Sequence, residues 1–293
     1  MLSLIKNIPS KCGLGEGCVW SADDNAFYWI DITKPNLYKY SVETNAIEKF
    51  ETPNNPANVF LTQQPNVLLV TLFDGLYLFN LEQQTWEPWR DIEPDKTLRL
   101  NDGTVDCNGN LLIGSITMTP DENGKDVPVD FDGRLFSVKE SESTIEGDSI
   151  GVFNLATFSP DNKIFYYADS MKGEIYACDF DSEKSTVGKP KLLNKLDEKY
   201  GGPDGGACDS EGYIWNARWD GKGVVRISPQ GELVDFFEVP TTRVTSLCFG
   251  GKDLKTLLVT TAELDMEHEE HSGNTFLFQV DVAGLAPFKT KLV

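Results

Sequence analysis

The sequence predicts an all-β fold, a six-bladed β-propeller of four-stranded antiparallel blades, and three observations carry that prediction. A short strand bounded by turn residues recurs six times, as FYWID (27–31), VLLVTL (67–72), LLIGSI (111–116), IFYYAD (164–169), YIWNAR (213–218) and LLVTTA (257–262). Another strand follows every copy: NLYKYSV (36–42), GLYLFNL (75–81), GRLFSV (133–138), GEIYACDF (173–180), GVVRISP (223–229) and NTFLFQV (274–280). No long stretch shows helical periodicity, whereas short aromatic or alternating runs between Gly, Asp, Asn and Pro are strand signals.

The other strands of each unit follow from their neighbours. A polar turn precedes each copy (ADDN, QQPN, CNGN, PDNK, DSEG or GGKD), and the stretch before it reads as the innermost strand of a hairpin. Outer strands are read at AIEKFE (46–51), TWEPWR (85–90), KPKLLN (189–194) and ELVDFFEV (232–239). Units of about 40 to 50 residues match propeller blades. Residues 1–293 are therefore expected to form one domain, although length alone would suggest two. A strand around Leu2–Ile8 is expected to complete the sixth sheet, with the segment near Pro287–Leu292 competing for that place.

Composition narrows the function. There are 26 Lys+Arg against 46 Asp+Glu, a net charge of −20, which argues against nucleic acid because phosphate-backbone binding is driven by Lys and Arg. An acidic surface of this size also serves solubility in a salt-rich medium and disfavours anionic substrates. With 40% apolar and 11% aromatic residues the chain can bury a full core. No run approaches the roughly 18 to 20 apolar residues of a membrane span, and the opening MLSLIKNIPS is too short in apolar residues for a signal peptide. A cytoplasmic protein with no membrane partner, monomeric or weakly homodimeric, is expected. The six cysteines (Cys12, Cys18, Cys107, Cys178, Cys208, Cys248) form no CxxC pair and read mostly as reduced, buried residues.

Aligning the units places Glu16, Ala57, Asn101, Asn154, Asp204 and Thr245 at one register position, the start of each innermost strand, where a propeller surrounds its channel. Five of the six are polar. Two carboxylates and two carboxamides supply hard oxygen ligands for a divalent cation such as Ca²⁺, Mg²⁺ or Mn²⁺. Carboxylates converging in a desolvated channel raise one another's pKa unless a cation neutralises them, so the channel is expected to contain a metal. Arg99, two residues before Asn101, faces the same side of an extended segment and suits a substrate oxygen.

Two connections between second and third strands are long, TMTPDENGKDVPVDFD (117–132) and ELDMEHEEHSGN (263–274), and both return to the channel mouth as candidate rims or lids. His268 and His271 stand in HEEH order within an acidic insertion, not as HExxH on a helix, and read as a solvated loop.

Five segments then resemble a known family. LGEGCVW (14–20), RLNDGTVDCNGNL (99–111), FNLATFSPDNKIFYYADS (153–170), GGPDGGACDSEGYIWNARW (201–219) and VTSLCFGGKDLKTLLVTTA (244–262) resemble the SMP-30/gluconolactonase/luciferin-regenerating-enzyme family. The resemblance implies a six-bladed propeller with one divalent metal in its channel and lactonase activity on sugar lactones. It implies Glu16, Asn154 and Asp204 as metal ligands, with Asn101 beside them or reaching the metal through water. Arg99 and Asn101 match the substrate-orienting pair, and Asp204 the proposed catalytic base. Ca²⁺ is the first expectation for the ion, with Zn²⁺, Mg²⁺ and Mn²⁺ as others.

Several positions depart from the family pattern. Cys18 stands where Pro is usual, Leu155 where Gly is usual and Gly206 where Met is common. Thr119 occupies the register of a substrate-binding Glu, so sugar specificity is not inherited. The expected reaction is opening of an aldonolactone to the hydroxy acid. Its rivals are a non-enzymatic metal- or ligand-binding propeller, and a metal-dependent hydrolase of another ester such as a phosphotriester.

Overall fold

The computed structural model describes residues 2–92, 97–120, 126–139 and 143–291. Its strands form six antiparallel sheets arranged as propeller blades. The first blade comprises Gly15–Ser21, Ala26–Asp31, Asn36–Ser41 and Ile47–Glu51, and the second Pro56–Leu61, Val67–Leu72, Gly75–Asn80 and Thr85–Arg90. The third comprises Leu98–Val105, Leu111–Pro120, Gly133–Val138 and Ser143–Ile150; a short strand, Asp126–Pro128, folds back on the long second one. The fourth is Phe153–Phe158, Ile164–Asp169, Glu174–Asp181 and Thr186–Lys195, and the fifth Gly202–Cys208, Ile214–Trp219, Gly223–Ile227 and Leu233–Glu238.

The sixth blade takes Val244–Gly250, Thr256–Thr261 and Thr275–Gln279 from the end of the chain and Ser3–Ile8 from its beginning, with Leu4 opposite Phe278 and Ile8 opposite Thr275. This settles the competition for the sixth sheet. The C-terminal segment, where Pro287 has no N–H to donate to a ladder, instead crosses the opposite face of the disc. Gly284 bridges to Asp209 in the fifth blade, and Thr290 to Thr62 beside the second. The Thr290 amide donates to Leu61 O and the Lys291 amide to Gly109 O.

Apolar residues on alternating strand positions feed the two faces of each sheet. They gather into six buried clusters, one between each adjacent pair of blades. One joins Tyr28 and Ile30 of the first blade to Leu68 and Val70 of the second, and another joins Trp20 and Phe27 to Leu258 and Leu277 across the closure. Packing thus binds each blade to both neighbours.

A β-bulge interrupts the innermost strand of every blade at the same level, between Glu16 and Val19, Pro56 and Asn58, Leu100 and Gly103, Asn154 and Thr157, Pro203 and Gly206, and Val244 and Ser246. A bulge re-aims the side chains that strict alternation would turn away. The candidate site is built at these six bulges.

Candidate active site

Buried acceptors hold the chain where it enters two of the inner strands. At the end of the first blade's second strand, Asp31 accepts from the amides of Gly13 (2.8 Å) and Leu14 (3.1 Å), which fixes the approach to Glu16. Asp169 does the same in the fourth blade, accepting from Gly151 (3.1 Å) and Val152 (3.3 Å) ahead of Asn154. In the fifth blade, Asn216 Nδ2 donates to the backbone oxygen of Asp204 at 2.6 Å, and Asn216 Oδ1 accepts from Arg218 Nη1 at 2.8 Å. Arg218 is 1% exposed and also donates to Tyr200 O and Gly201 O, so one guanidinium secures the turn that delivers Asp204.

Four of the six aligned side chains fall into two contacting pairs, Glu16 with Asp204 and Asn101 with Asn154. Glu16, Asn101, Asn154 and Asp204 are all buried. Asn154 Nδ2 donates to Ser170 Oγ at 2.8 Å, which passes its own hydrogen to Pro203 O at 2.6 Å. That leaves Asn154 Oδ1 with a long 3.4 Å contact from Asn101 Nδ2. Asn101 is oriented differently: its nitrogen donates to Phe153 O at 2.8 Å, and its oxygen accepts from Arg99 Nη1 at 2.7 Å. The Arg99 guanidinium lies 4.5 Å over the Phe73 ring. Arg99 and Asn101 are thus locked together, with the guanidinium as donor and the Asn101 oxygen as acceptor.

The other two aligned residues add no ligand. Ala57 is apolar, and the Thr245 hydroxyl is engaged with Gly15 O and Thr260 Oγ1.

Electrostatics set the ring's chemistry. Burial pushes the Glu16 carboxyl well above its ordinary pKa, and the neighbouring Asp204 and Asp102 push it further. Burial and Asp102 do the same to Asp204, while a hydrogen bond from Glu16 pulls it partly back. Asp102 is a third carboxylate that strict alternation had hidden. Burial raises it to about 6, although it accepts hydrogen bonds from Asn58 and from the amides of Gly103 and Ala156. Buried carboxyls that raise one another in this way favour protonation or a cation, but among the described residues no three His, Cys, Asp or Glu side chains are grouped closely enough to hold a metal ion by themselves.

Leu155, the departure from the family's glycine, sits at φ 53°, a left-handed conformation that costs a non-glycine residue about 1–2 kcal/mol. Its side chain lies over Gly206, where an added Cβ would come within 2.6 Å of Leu155 Cδ1. The two positions are therefore in contact across neighbouring blades, with the Leu155 side chain filling the space over Gly206.

Beneath the ring lies a cavity of about 250 Å³, bounded above by Asn58, Asp102 and Ser246 and below by Leu285–Phe288 of the crossing tail. Cys18 lines this cavity: its Sγ is 3.8 Å from Ser246 Oγ and it touches Cys248, so the thiol belongs to the space below the ring. All six cysteines are free thiols.

Thr119 lies on the extension of the third blade's second strand, half-buried and paired with Val127, three residues beyond Ile116, the partner of Arg99. Its place is the rim, not the ring. That insertion is a β-hairpin through Met118–Pro128 pairing, and its tip, 121–125, lies outside the described residues. The other long connection, 263–274, folds as consecutive turns joined to Cys12 and Gly13. Within it His268 is exposed, and His271 sits beside Asn7 and Phe276.

Comparison with known proteins agrees with this architecture. A family model, the SMP-30/Gluconolactonase/LRE-like region, matches residues 14–263. The chain is 33% identical to pentonolactonase XacC of Haloferax volcanii over 96% of its own length and 95% of the relative's. It is 31% identical to an L-arabinolactonase of Azospirillum brasilense, covering 93% and 90% respectively. Among solved structures, a calcium-binding protein, regucalcin from Agrobacterium tumefaciens, superposes with a TM-score of 0.89 at 24% identity over 98% of both chains. The chain belongs to the SMP-30/gluconolactonase/LRE-like family.

Proposed function

We propose that this protein is a metal-dependent lactonase that opens a sugar lactone, an aldonolactone of five or six ring members, to its aldonic acid. The observation that supports the proposal is a pair of buried carboxyls, Glu16 and Asp204, each driven towards protonation, at the same register position as Asn154, whose amide nitrogen is anchored to Ser170. That donor set fits a hard divalent cation. Glu16, Asn154 and Asp204 would hold it, with Asn101 reaching it through water; Ca²⁺ is favoured over Zn²⁺, Mg²⁺ and Mn²⁺. The names of the pentonolactonase and arabinolactonase relatives supply the substrate class.

Held there, a divalent cation would supply Lewis-acid polarisation of the lactone carbonyl and a counter-charge for the developing oxyanion. Asp204 accepts a proton from the attacking water. The water oxygen bonds to the carbonyl carbon, the ring C–O bond breaks, and the proton passes to the departing alkoxide to give the open hydroxy acid. Arg99, held in place by the Asn101 oxygen, donates to sugar oxygens from a fixed geometry, Asn101 accepts from a sugar hydroxyl, and Thr119 contacts the sugar from the rim.

A pH-indicator assay over a panel of sugar lactones, with and without chelator, tests the proposal. Acid release that chelator abolishes and Ca²⁺ restores supports it. Hydrolysis indifferent to chelator, or no hydrolysis of any lactone with the ion present, contradicts it.

A further inference from the structure

We infer that Asp102 is a positioning residue for the cation site: it sets the backbone that presents Asn154 by holding Leu155 in its left-handed conformation. The inference rests on the cation site proposed above and assigns it a supporting residue in the layer below.

Three blades meet at the Asp102 carboxylate. Its Oδ1 accepts from Gly103 N of its own blade at 2.8 Å and from Asn58 Nδ2 of the second blade at 2.8 Å. Its Oδ2 accepts from Ala156 N of the fourth blade at 3.4 Å, the amide that immediately follows Leu155. Leu155 and Ala156 follow Asn154 through the bulge that aims its side chain inward. A leucine does not adopt φ 53° by preference, so the amide that follows it needs an acceptor to keep it there. Where glycine occupies the position, the conformation is freely available. On the other side, Asn58 packs against Gly17, the residue after Glu16, so tightly that a Cβ at Gly17 would lie 2.8 Å from Asn58 Oδ1. One carboxylate thereby spans the backbones that follow two of the three proposed ligands.

A double-mutant cycle on Ca²⁺ affinity, measured by calorimetry on the full chain, tests this. Asp102→Asn turns an amide donor towards the Ala156 amide, and should weaken Ca²⁺ binding at least tenfold while far-UV circular dichroism stays unchanged. In a Leu155→Gly background the same substitution should cost less than threefold, a coupling that general loss of stability does not produce. Should Asp102→Asn fail to fold, Asn58→Ala removes one donor from the hub and should weaken binding severalfold. Unchanged Ca²⁺ affinity in the folded variant, or equal losses in both backgrounds, overturns the positioning role alone. A wild-type protein that takes up no Ca²⁺ overturns the cation site and, with it, this role.

Discussion

Arg99 Nη1 donates to Asn101 Oδ1 across 2.7 Å, and the same amide's nitrogen donates to Phe153 O at 2.8 Å, so Asn101 cannot turn without breaking both bonds. The pair is thereby preset, with Arg99 as its donor. Arg99→Met should lower kcat/KM for a sugar lactone about 10- to 100-fold, the worth of a charge-assisted hydrogen bond. Ca²⁺ affinity should stay within about twofold of wild type, since Arg99 is no ligand. Parallel steady-state kinetics and calorimetry check both; a large loss of Ca²⁺ affinity would move Arg99 into the ion's support.

Asp204 has two proposed duties, ligand and base. Asp204→Ala should reduce lactone opening by about 10²-fold or more, the range for a positioned proton acceptor, while circular dichroism retains the β signature. Near-normal turnover in that variant would remove Asp204 from the reaction.

The raised carboxyls give the ion-free protein a pH dependence of definite sign. A native pKa above the unfolded value means that the folded state binds more protons within the window between them, so stability falls as pH rises through it. For Asp102 that window runs from 3.8 to about 6, and Glu16 and Asp204 shift in the same direction. In chelator, these groups should make the protein less stable at about pH 7.5 than at about pH 5. Ca²⁺ should raise the unfolding temperature more at the higher pH, where it does not compete with protons. Thermal unfolding at both values, with and without CaCl2, measures this; equal ion-induced shifts would contradict it.

Leu155 and Gly206 make a separate prediction about packing. A Cβ at Gly206 would meet Trp215 O at 2.3 Å as well as the Leu155 side chain. Gly206→Ala should therefore destabilise the protein by about 1–3 kcal/mol, the usual range for overpacking. Urea unfolding reads this as a lower midpoint with unchanged slope.

The blades were legible in the sequence because turn residues and aromatic strands repeat in register, and that repeat also singled out Glu16, Asn101, Asn154 and Asp204, all four of which are buried polar residues at the inner-strand bulges. Asp102 and Asn58 were hidden because strict alternation assigns neighbours to opposite faces, whereas the bulges bring Asn101 and Asp102 both towards the channel. Arg218 and Asn216 were equally invisible: nothing local says that a polar pair in YIWNAR will be fully buried until the fifth blade packs around it. The choice of Ser3–Ile8 over the tail was open because both segments are short and apolar. Ladder pairing with Thr275–Gln279 decided it, and left the tail to floor the channel.

Diffraction from crystals grown with Mn²⁺, collected to give an anomalous map, addresses the ring most directly. One strong peak is expected in the channel, within direct coordination distance of carboxylate oxygens from Glu16 and Asp204 and of Asn154 Oδ1. A channel without a peak, or a peak whose neighbours exclude those three side chains, would contradict the proposed cation site.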